Sequence, residues 1–211
     1  MDCDYLFGLL ASYQGSRTFN QYREADPELD RANAAAVRLQ NLRSYLEAFA
    51  GARYILVGEA AGYARCRFSG IPFTCEAQLV APRQLSWTIE AEFGLSSLSA
   101  KPWVERSATM VWETLDERRD CLLWNAYPWH PIGSSGPLSN RPPGRDVRDG
   151  LDALEQLLSL FPSARPYAVG RVAQRALAAI GLSAPYIRHP SHGGRREFRN
   201  GLAALASAAS G

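Results

Sequence analysis

The chain has 211 residues, of which 46% are hydrophobic and 21% are charged, values typical of a globular protein with a sizeable core. The formal net charge of +2 is too small to indicate nucleic-acid binding by itself, so any basic surface must be local. The four cysteines, Cys3, Cys66, Cys75 and Cys121, form no C-x-x-C pair, which argues against a zinc ribbon and against a standard iron–sulfur site.

The sequence predicts strands and helices that alternate along the chain. Short apolar runs typical of buried strands occur at residues 53–57, 121–127, 167–170 and 185–188. Helical patterns cover residues 2–13, 28–50, 107–118, 146–161, 172–180 and 196–206. We predict loops over the polar segment 15–27 and the Gly/Pro/Ser-rich segment 128–144, and an irregular excursion over 77–106.

This alternation predicts an α/β fold with a mostly parallel sheet and helices on both faces. No repeat or linker divides the sequence, so we expect one domain over residues 1–211, with a helical N-terminal extension over about residues 1–50. Ligands of such sheets bind at the carboxyl ends of the strands. Three segments should meet there, namely residues 58–73, Asn125 and residues 189–194.

Each of these segments carries a short motif. Gly58-Glu-Ala-Ala-Gly62, followed by Ile71-Pro-Phe73, is similar to the GEAPG…PF motif of the thermostable bacterial and archaeal branch of the uracil-DNA glycosylase superfamily. Leu122-Leu-Trp-Asn-Ala126 resembles the LLxNA strand end of that family, and His189-Pro-Ser191 resembles its HPS motif. The motifs match in order and spacing, and the resemblance covers roughly residues 50–205.

The resemblance implies a three-layer α/β/α sandwich around a four-stranded, mainly parallel sheet. It also implies a monofunctional DNA repair enzyme that flips uracil out of single- or double-stranded DNA and hydrolyses its N-glycosidic bond, leaving an abasic site. We further expect a monomer in the cytoplasm of a bacterium. The acidic start Met1-Asp-Cys-Asp lacks the charged segment of a signal peptide, and no apolar run is long enough to span a membrane, so we expect no membrane partner.

The motifs supply a candidate for each task of a base pocket. Phe73 would stack on the flipped base, although a lone phenylalanine is more often part of a core. Asn125 would accept from N3–H and donate to O4 of uracil, or else bond the backbone at its strand end. His189 would donate to uracil O2 as negative charge develops, or else be a packed or surface histidine. Gly58 and Ala60 would complete the base-binding loop.

Two departures from the family bear on the chemistry. Ala60 stands where the best-known branch has its water-activating aspartate, so the resemblance implies a dissociative, oxocarbenium-like path with a loosely held water. Glu59 either orders that water or caps the following turn. Pro128-Trp-His-Pro131 replaces the Lys-Cys-Arg-Pro segment of the thermostable branch, which implies a relative without the cluster, with no metal and no cofactor.

Residues around the expected cavity would contact DNA. Asn140 and Arg141 lie in a segment that resembles the family's Gly-Asn-Arg loop, and an asparagine there argues against a covalent adduct with DNA. Gly193 stands where the family often has a leucine wedge, so an arginine is a candidate for that role. The local basic patch over 188–199 either binds phosphates or is a solvated helix start. The predicted DNA contacts are Asn140, Arg141, Ser191, His192, Gly193, Arg195 and Arg196.

Two other functions remain open from the sequence. The same scaffold could remove a deaminated purine, hypoxanthine or xanthine, because Tyr63 or the segment 77–106 could reshape the pocket. A catalytically weak protein that only binds DNA lesions is the other alternative, and Ala60 and Gly193 are the features that favour it.

Overall fold

The computed structural model describes residues 2–80, 92–115, 118–190 and 193–207. Its strands, in chain order, are β1 (Thr18–Phe19), β2 (Tyr54–Ala60), β3 (Cys121–Tyr127), β4 (His130–Gly133), β5 (Gly136–Asn140), β6 (Arg165–Val169) and β7 (Tyr186–Ile187). The helices are α1 (Asp4–Ser12), α2 (Ala34–Ala48), α3 (Cys66–Ser69), α4 (Glu76–Val80), α5 (Arg106–Leu115), α6 (Leu151–Leu160), α7 (Arg171–Ala179) and α8 (Arg195–Ser207).

The central sheet has four parallel strands in the order β3–β2–β6–β7. Every residue of β3 is buried, as are residues 54–58 of β2, because helices cover the sheet. Helix α7 packs against β2, β3 and β6, whereas α6 packs against β3 and α8 against β7. These features confirm the predicted α/β fold with a four-stranded parallel sheet flanked by helices. In the register, Gly58 lies opposite Asn125.

A second, antiparallel sheet in the order β1–β4–β5 was not predicted. The predictions of loops over 15–27 and 128–144 are therefore wrong at these strands. The strands are short, and prolines suppress the strand signal; Pro137 is tolerated because β5 is an edge strand. We call β4, β5 and the turn between them the hairpin, residues 130–140. Ile132 pairs with Asn140 and Gly133 with Gly136, so residues 137–139 bulge out of β5.

Two predicted helices begin later than expected. Helix α2 starts at Ala34 because residues 29–31 pair with another segment: the N–H of Leu98 donates to the carbonyl of Leu29 over 2.8 Å, and Asp30 bridges to Ser97. A 3-10 helix, Gly144–Gly150, precedes α6. The excursion predicted over 77–106 contains most of α4 and the first residue of α5, and its residues 81–91 lie outside the described part of the chain.

A buried ion-pair network holds the loop after β2 against α2. One carboxylate oxygen of Asp30 lies 2.6 Å from the guanidinium of Arg38 and 2.6 Å from that of Arg67, and all three side chains are fully buried. The Arg67 guanidinium also lies over the rings of Phe19 and Phe68, at 4.2 and 4.1 Å from their centroids. Arg67 belongs to α3, so the network fixes the segment that follows the Gly58–Gly62 motif.

Candidate active site

A cavity opens at the carboxyl ends of β2 and β3. Its volume of about 290 Å³ is close to the lower end of the range for small-molecule sites, about 300–1,000 Å³. It is walled by the end of β2 and the loop after it, by β3, by the hairpin and the residues after it, and by the segment after β7. The lining residues are Glu59, Ala60, Ala61, Gly62, Arg65, Phe73, Asn125, Pro131, Asn140, Arg141, Pro142 and His189. Seven of the predicted site residues therefore meet in one cavity.

Gly58 lies directly behind the ring of Phe73 and does not line the cavity itself. A Cβ at Gly58 would overlap the Cζ atom of Phe73 and lie 2.6 Å from its Cε2. The same Cβ would lie 3.3 Å from Oδ1 of Asn125, so the ring and the amide sit side by side over Gly58. Glycine is required here because the ring occupies the space of a side chain.

The turn that carries Phe73 is held in an uncommon backbone conformation. Phe73 has a φ of 56° and is only 4% exposed, and a bulky residue in this region is a genuine outlier. The Ser69 hydroxyl accepts from the N–H of Ile71 over 3.0 Å and donates to the carbonyl of Thr74 over 2.7 Å. The indole N–H of Trp112 donates to Thr74 Oγ1 over 3.1 Å. These hydrogen bonds stabilise the turn in its unfavourable backbone conformation and hold the ring at the cavity wall.

The amide of Asn125 faces the cavity from the end of β3. Its residue is 2% exposed, and no hydrogen bond to this amide is found within the described ranges. Buried amides are usually hydrogen-bonded. Because this one has no such partner among the described residues and lies at the cavity wall, it is available to a ligand. This arrangement does not support the alternative in which Asn125 bonds the backbone.

His189 reaches the cavity from the segment after β7 and is partly buried. The centroid of its ring lies 6.4 Å from that of Phe73, with 34° between the planes. A second cavity, of about 330 Å³, shares Glu59 and His189 with the first and is otherwise lined by Gly170, Arg171, Val172, Tyr186 and Arg188. The two residues predicted to be catalytic thus stand between the two cavities.

Glu59 is the one carboxylate among the described lining residues. Burial raises the pKa of Glu59 above its ordinary value, and the positive charge of Arg175 opposes that rise. Its carboxylate makes no hydrogen bond to any residue that the structure describes. The side chain is therefore not engaged as a cap of the following turn, one of the two roles predicted for it.

The hairpin contributes Asn140 and, just after it, Arg141. The side-chain oxygen of Asn140 accepts from the N–H of Tyr63 over 3.0 Å, which ties the hairpin to the loop after β2. Arg141 donates to the carboxylate of Asp146 over 2.6 Å and to backbone carbonyls. Asn140 and Arg141, two of the residues predicted to contact DNA, are thus at the cavity, but the side chain of Arg141 is held by an ion pair.

Of the other predicted DNA-binding residues, Gly193, Arg195 and Arg196 lie around the start of α8. Arg195 forms an exposed ion pair with Glu113 at 3.2 Å, and Arg196 is exposed. Gly193 is exposed with a φ of 79°, and a Cβ there would meet open space. Ser191 and His192 lie outside the described residues.

The sequence did not single out four residues that build the site. Arg65, Pro131 and Pro142 line the cavity, and His130 lies fully buried behind it. Arg65 also pairs with Glu105 at 3.2 Å. Nothing distinguishes Arg65 from the many other arginines of the chain, whereas the packing of His130 became visible only with the unpredicted hairpin.

Two further features can be stated for the described residues. Their helices include none that is long and apolar enough to cross a membrane. They also contain no group of three or more His, Cys, Asp and Glu side chains placed to hold a metal ion.

Comparison with known proteins gives a family and a fold. The model of the family described as the uracil DNA glycosylase superfamily matches residues 48–208. The crystal structure of wild-type Pedobacter heparinus SMUG2 is similar, with a TM-score of 0.64 and 11% sequence identity over 99% of this chain and 98% of that one. No curated protein matches the chain. At this identity the structural likeness concerns the fold alone.

Proposed function

The chain belongs to the uracil DNA glycosylase superfamily and is therefore a DNA glycosylase, and we propose that the base it removes is uracil. The observation that carries the proposal is the convergence of Phe73, Asn125 and His189 on one cavity at the ends of the parallel strands. A flipped base needs a stacking surface, a reader for its edge and a donor for its leaving negative charge. These three side chains supply one of each.

Binding of the base follows from the walls of the cavity. The ring of Phe73 lines the cavity and packs against Gly58, and stacking of a base on an aromatic side chain is worth roughly 1–3 kcal/mol. The Asn125 amide accepts from N3–H and donates to O4, the pair that uracil presents. Cytosine presents the opposite pair, so the amide discriminates against it when it keeps the orientation that reads uracil.

Cleavage of the N-glycosidic bond leaves negative charge on the base and positive charge on the sugar. His189 donates a hydrogen bond to O2, and this bond strengthens as the charge on the base grows. Ala60 brings no carboxylate to the cavity, so Glu59 is our candidate for orienting the attacking water. Burial raises the pKa of Glu59, and in its ionised form the carboxylate would also stabilise the oxocarbenium-like sugar.

The DNA backbone would pass over the start of α8. Arg195 and Arg196 are exposed there, and the Arg195–Glu113 pair is exposed on both sides. Exposed ion pairs contribute only about 0–1 kcal/mol, so a phosphate can displace Glu113. Because Gly193 has no side chain to insert, one of these arginines takes the role of the wedge in duplex DNA.

The proposal is tested with labelled oligonucleotides that carry uracil, hypoxanthine or xanthine, each single-stranded and paired. We expect uracil to be removed from both forms, leaving an abasic site that breaks only after alkali treatment. Excision of the purines without uracil would replace the proposed substrate, and binding without excision of any base would contradict catalysis. Strand breakage without alkali would contradict a monofunctional enzyme.

A further inference from the structure

The chemistry above does not use His130, which is fully buried between the hairpin and the loop after β2. Its Nδ1 lies 3.1 Å from the carbonyl oxygen of Ala61, and its Nε2 lies 3.2 Å from that of Pro137. Ala61 lines the cavity directly after Glu59 and Ala60. We infer that His130 is a positioning residue that fixes the Ala61 carbonyl, and with it the base-binding loop, to the hairpin. This inference rests on the proposed function of the cavity.

The hairpin can serve as the fixed partner because it is tied to the body of the protein. His130 and Pro131 pair with Phe19 and Thr18 of β1. The bulge of β5 is closed on itself, since the Ser139 hydroxyl donates to the carbonyl of Gly136 over 2.7 Å. His130 is thus anchored on β4 before it reaches the loop.

The start of the loop after β2, residues 61–63, in contrast, is held by the hairpin. Within the loop, the N–H of Arg65 donates to the carbonyl of Gly62 over 3.2 Å. From outside, Asn140 accepts from the N–H of Tyr63, and His130 faces the carbonyl of Ala61. These two hairpin contacts hold one donor and one acceptor of the loop backbone, which defines both the position and the tilt of its peptides.

The two ring nitrogens of His130 do not have equal roles. Burial lowers the pKa of His130, and the positive charges of Arg67 and Arg141 lower it further, while the two carbonyl oxygens oppose this. The ring is therefore neutral at pH 7 and has one N–H for two acceptors. Positioning of the loop requires the tautomer with the proton on Nδ1, which donates to Ala61 and leaves the carbonyl of Pro137 without that proton.

This requirement can be tested by substitutions that keep one nitrogen at a time. The amide of asparagine reaches about as far as Nδ1, so His130→Asn keeps a donor for Ala61; the amide of glutamine reaches as far as Nε2, so His130→Gln keeps one for Pro137. Single-turnover uracil excision and the Kd for DNA containing an abasic site are measured for both. Ser139→Ala removes a hydrogen bond of the same hairpin that does not touch the loop and is the matched control.

We expect His130→Gln to lower the excision rate about tenfold to a hundredfold, because small displacements of reacting groups have effects of this size. His130→Asn and Ser139→Ala should stay within about threefold of the parent, and all three should bind abasic DNA as the parent does. Equal losses of rate in His130→Asn and His130→Gln, or no loss in either, would overturn the inference.

A measurement on the parent protein keeps the test independent of folding and of the substrate. Long-range ¹H–¹⁵N NMR of the histidine ring reports which nitrogen carries the proton. A proton on Nδ1 of His130 agrees with the inference, and a proton on Nε2 overturns it. Loss of the proposed function itself would show as a parent that removes no uracil, whatever the tautomer.

Discussion

Replacing Gly58 with alanine places a methyl group where the ring of Phe73 lies. The new Cβ would overlap Cζ of the ring, lie 2.6 Å from Cε2 and approach Oδ1 of Asn125 to 3.3 Å. Real side chains do not tolerate such distances, so the ring must move. Phe73 is buried in a turn with a φ of 56°, which leaves the cavity as the open direction for that movement.

The displaced ring then occupies the space of the flipped base or loses its flat contact with it. Overpacking of this kind costs typically about 1–3 kcal/mol of folding stability. The lost stacking costs roughly another 1–3 kcal/mol in binding of the extruded base. Since 1.36 kcal/mol corresponds to a factor of ten, Gly58→Ala should lower single-turnover uracil excision between about five- and 150-fold.

The assay compares Gly58→Ala with Gly51→Ala, in which the added methyl group meets nothing within 4 Å. Excision is followed at saturating enzyme, and thermal unfolding is recorded for both variants. Gly51→Ala should match the parent in both measurements. Parental excision by a folded Gly58→Ala protein would show that the ring need not stand at this wall, and the assignment of Phe73 as the stacking surface would fail.

Three further predictions concern single side chains. His189→Ala should lower the single-turnover rate about a hundred- to a thousandfold while the Kd for DNA changes little, because its bond forms in the transition state; equal rates would contradict its role. Excision should fall as the pH drops through the raised pKa of Glu59, because the ionised form is the one that orients water, and Glu59→Gln should remove this acidic limb; an unchanged limb would assign it to another group. Asp30→Asn should lower the free energy of unfolding by about 3–5 kcal/mol, because it leaves the buried guanidinium groups of Arg38 and Arg67 without their carboxylate; a loss below about 1 kcal/mol in urea unfolding would contradict that network.

The central sheet was predictable because its strands are continuous apolar runs. The strand Cys121–Tyr127 was predicted with its observed bounds, since all of its residues are buried, a charged segment precedes it and Pro128 follows it. Its register against β2 places Asn125 beside Gly58, as expected for two motifs at the carboxyl ends of neighbouring strands. The positions of the motifs along the chain were enough to predict that they meet, because parallel strands have their carboxyl ends at the same edge of the sheet.

The second sheet could not be read in the same way. Strands β1 and β4 have two and four residues, too short for a periodic pattern, and β5 carries a proline and a bulge. Their pairing is long-range, so no local signal records it. For the same reason no local pattern indicates that His130 packs behind Ala61. The ion pair between Arg141 and Asp146 likewise depends on the turn that follows β5.

The most direct test of the account is uracil and cytosine excision by Asn125→Asp. A carboxylate lacks the donor for O4 and places negative charge against that oxygen; mismatched buried groups cost about 1–3 kcal/mol each, and more when charged. Uracil excision should fall at least tenfold, and some cytosine excision is expected at mildly acid pH, where a protonated group can restore a complementary pair. Asn125→Ala is the control for simple loss of the side chain. Parental uracil excision by Asn125→Asp would show that Asn125 does not read the edge of the base and would contradict the pocket on which the proposed function rests.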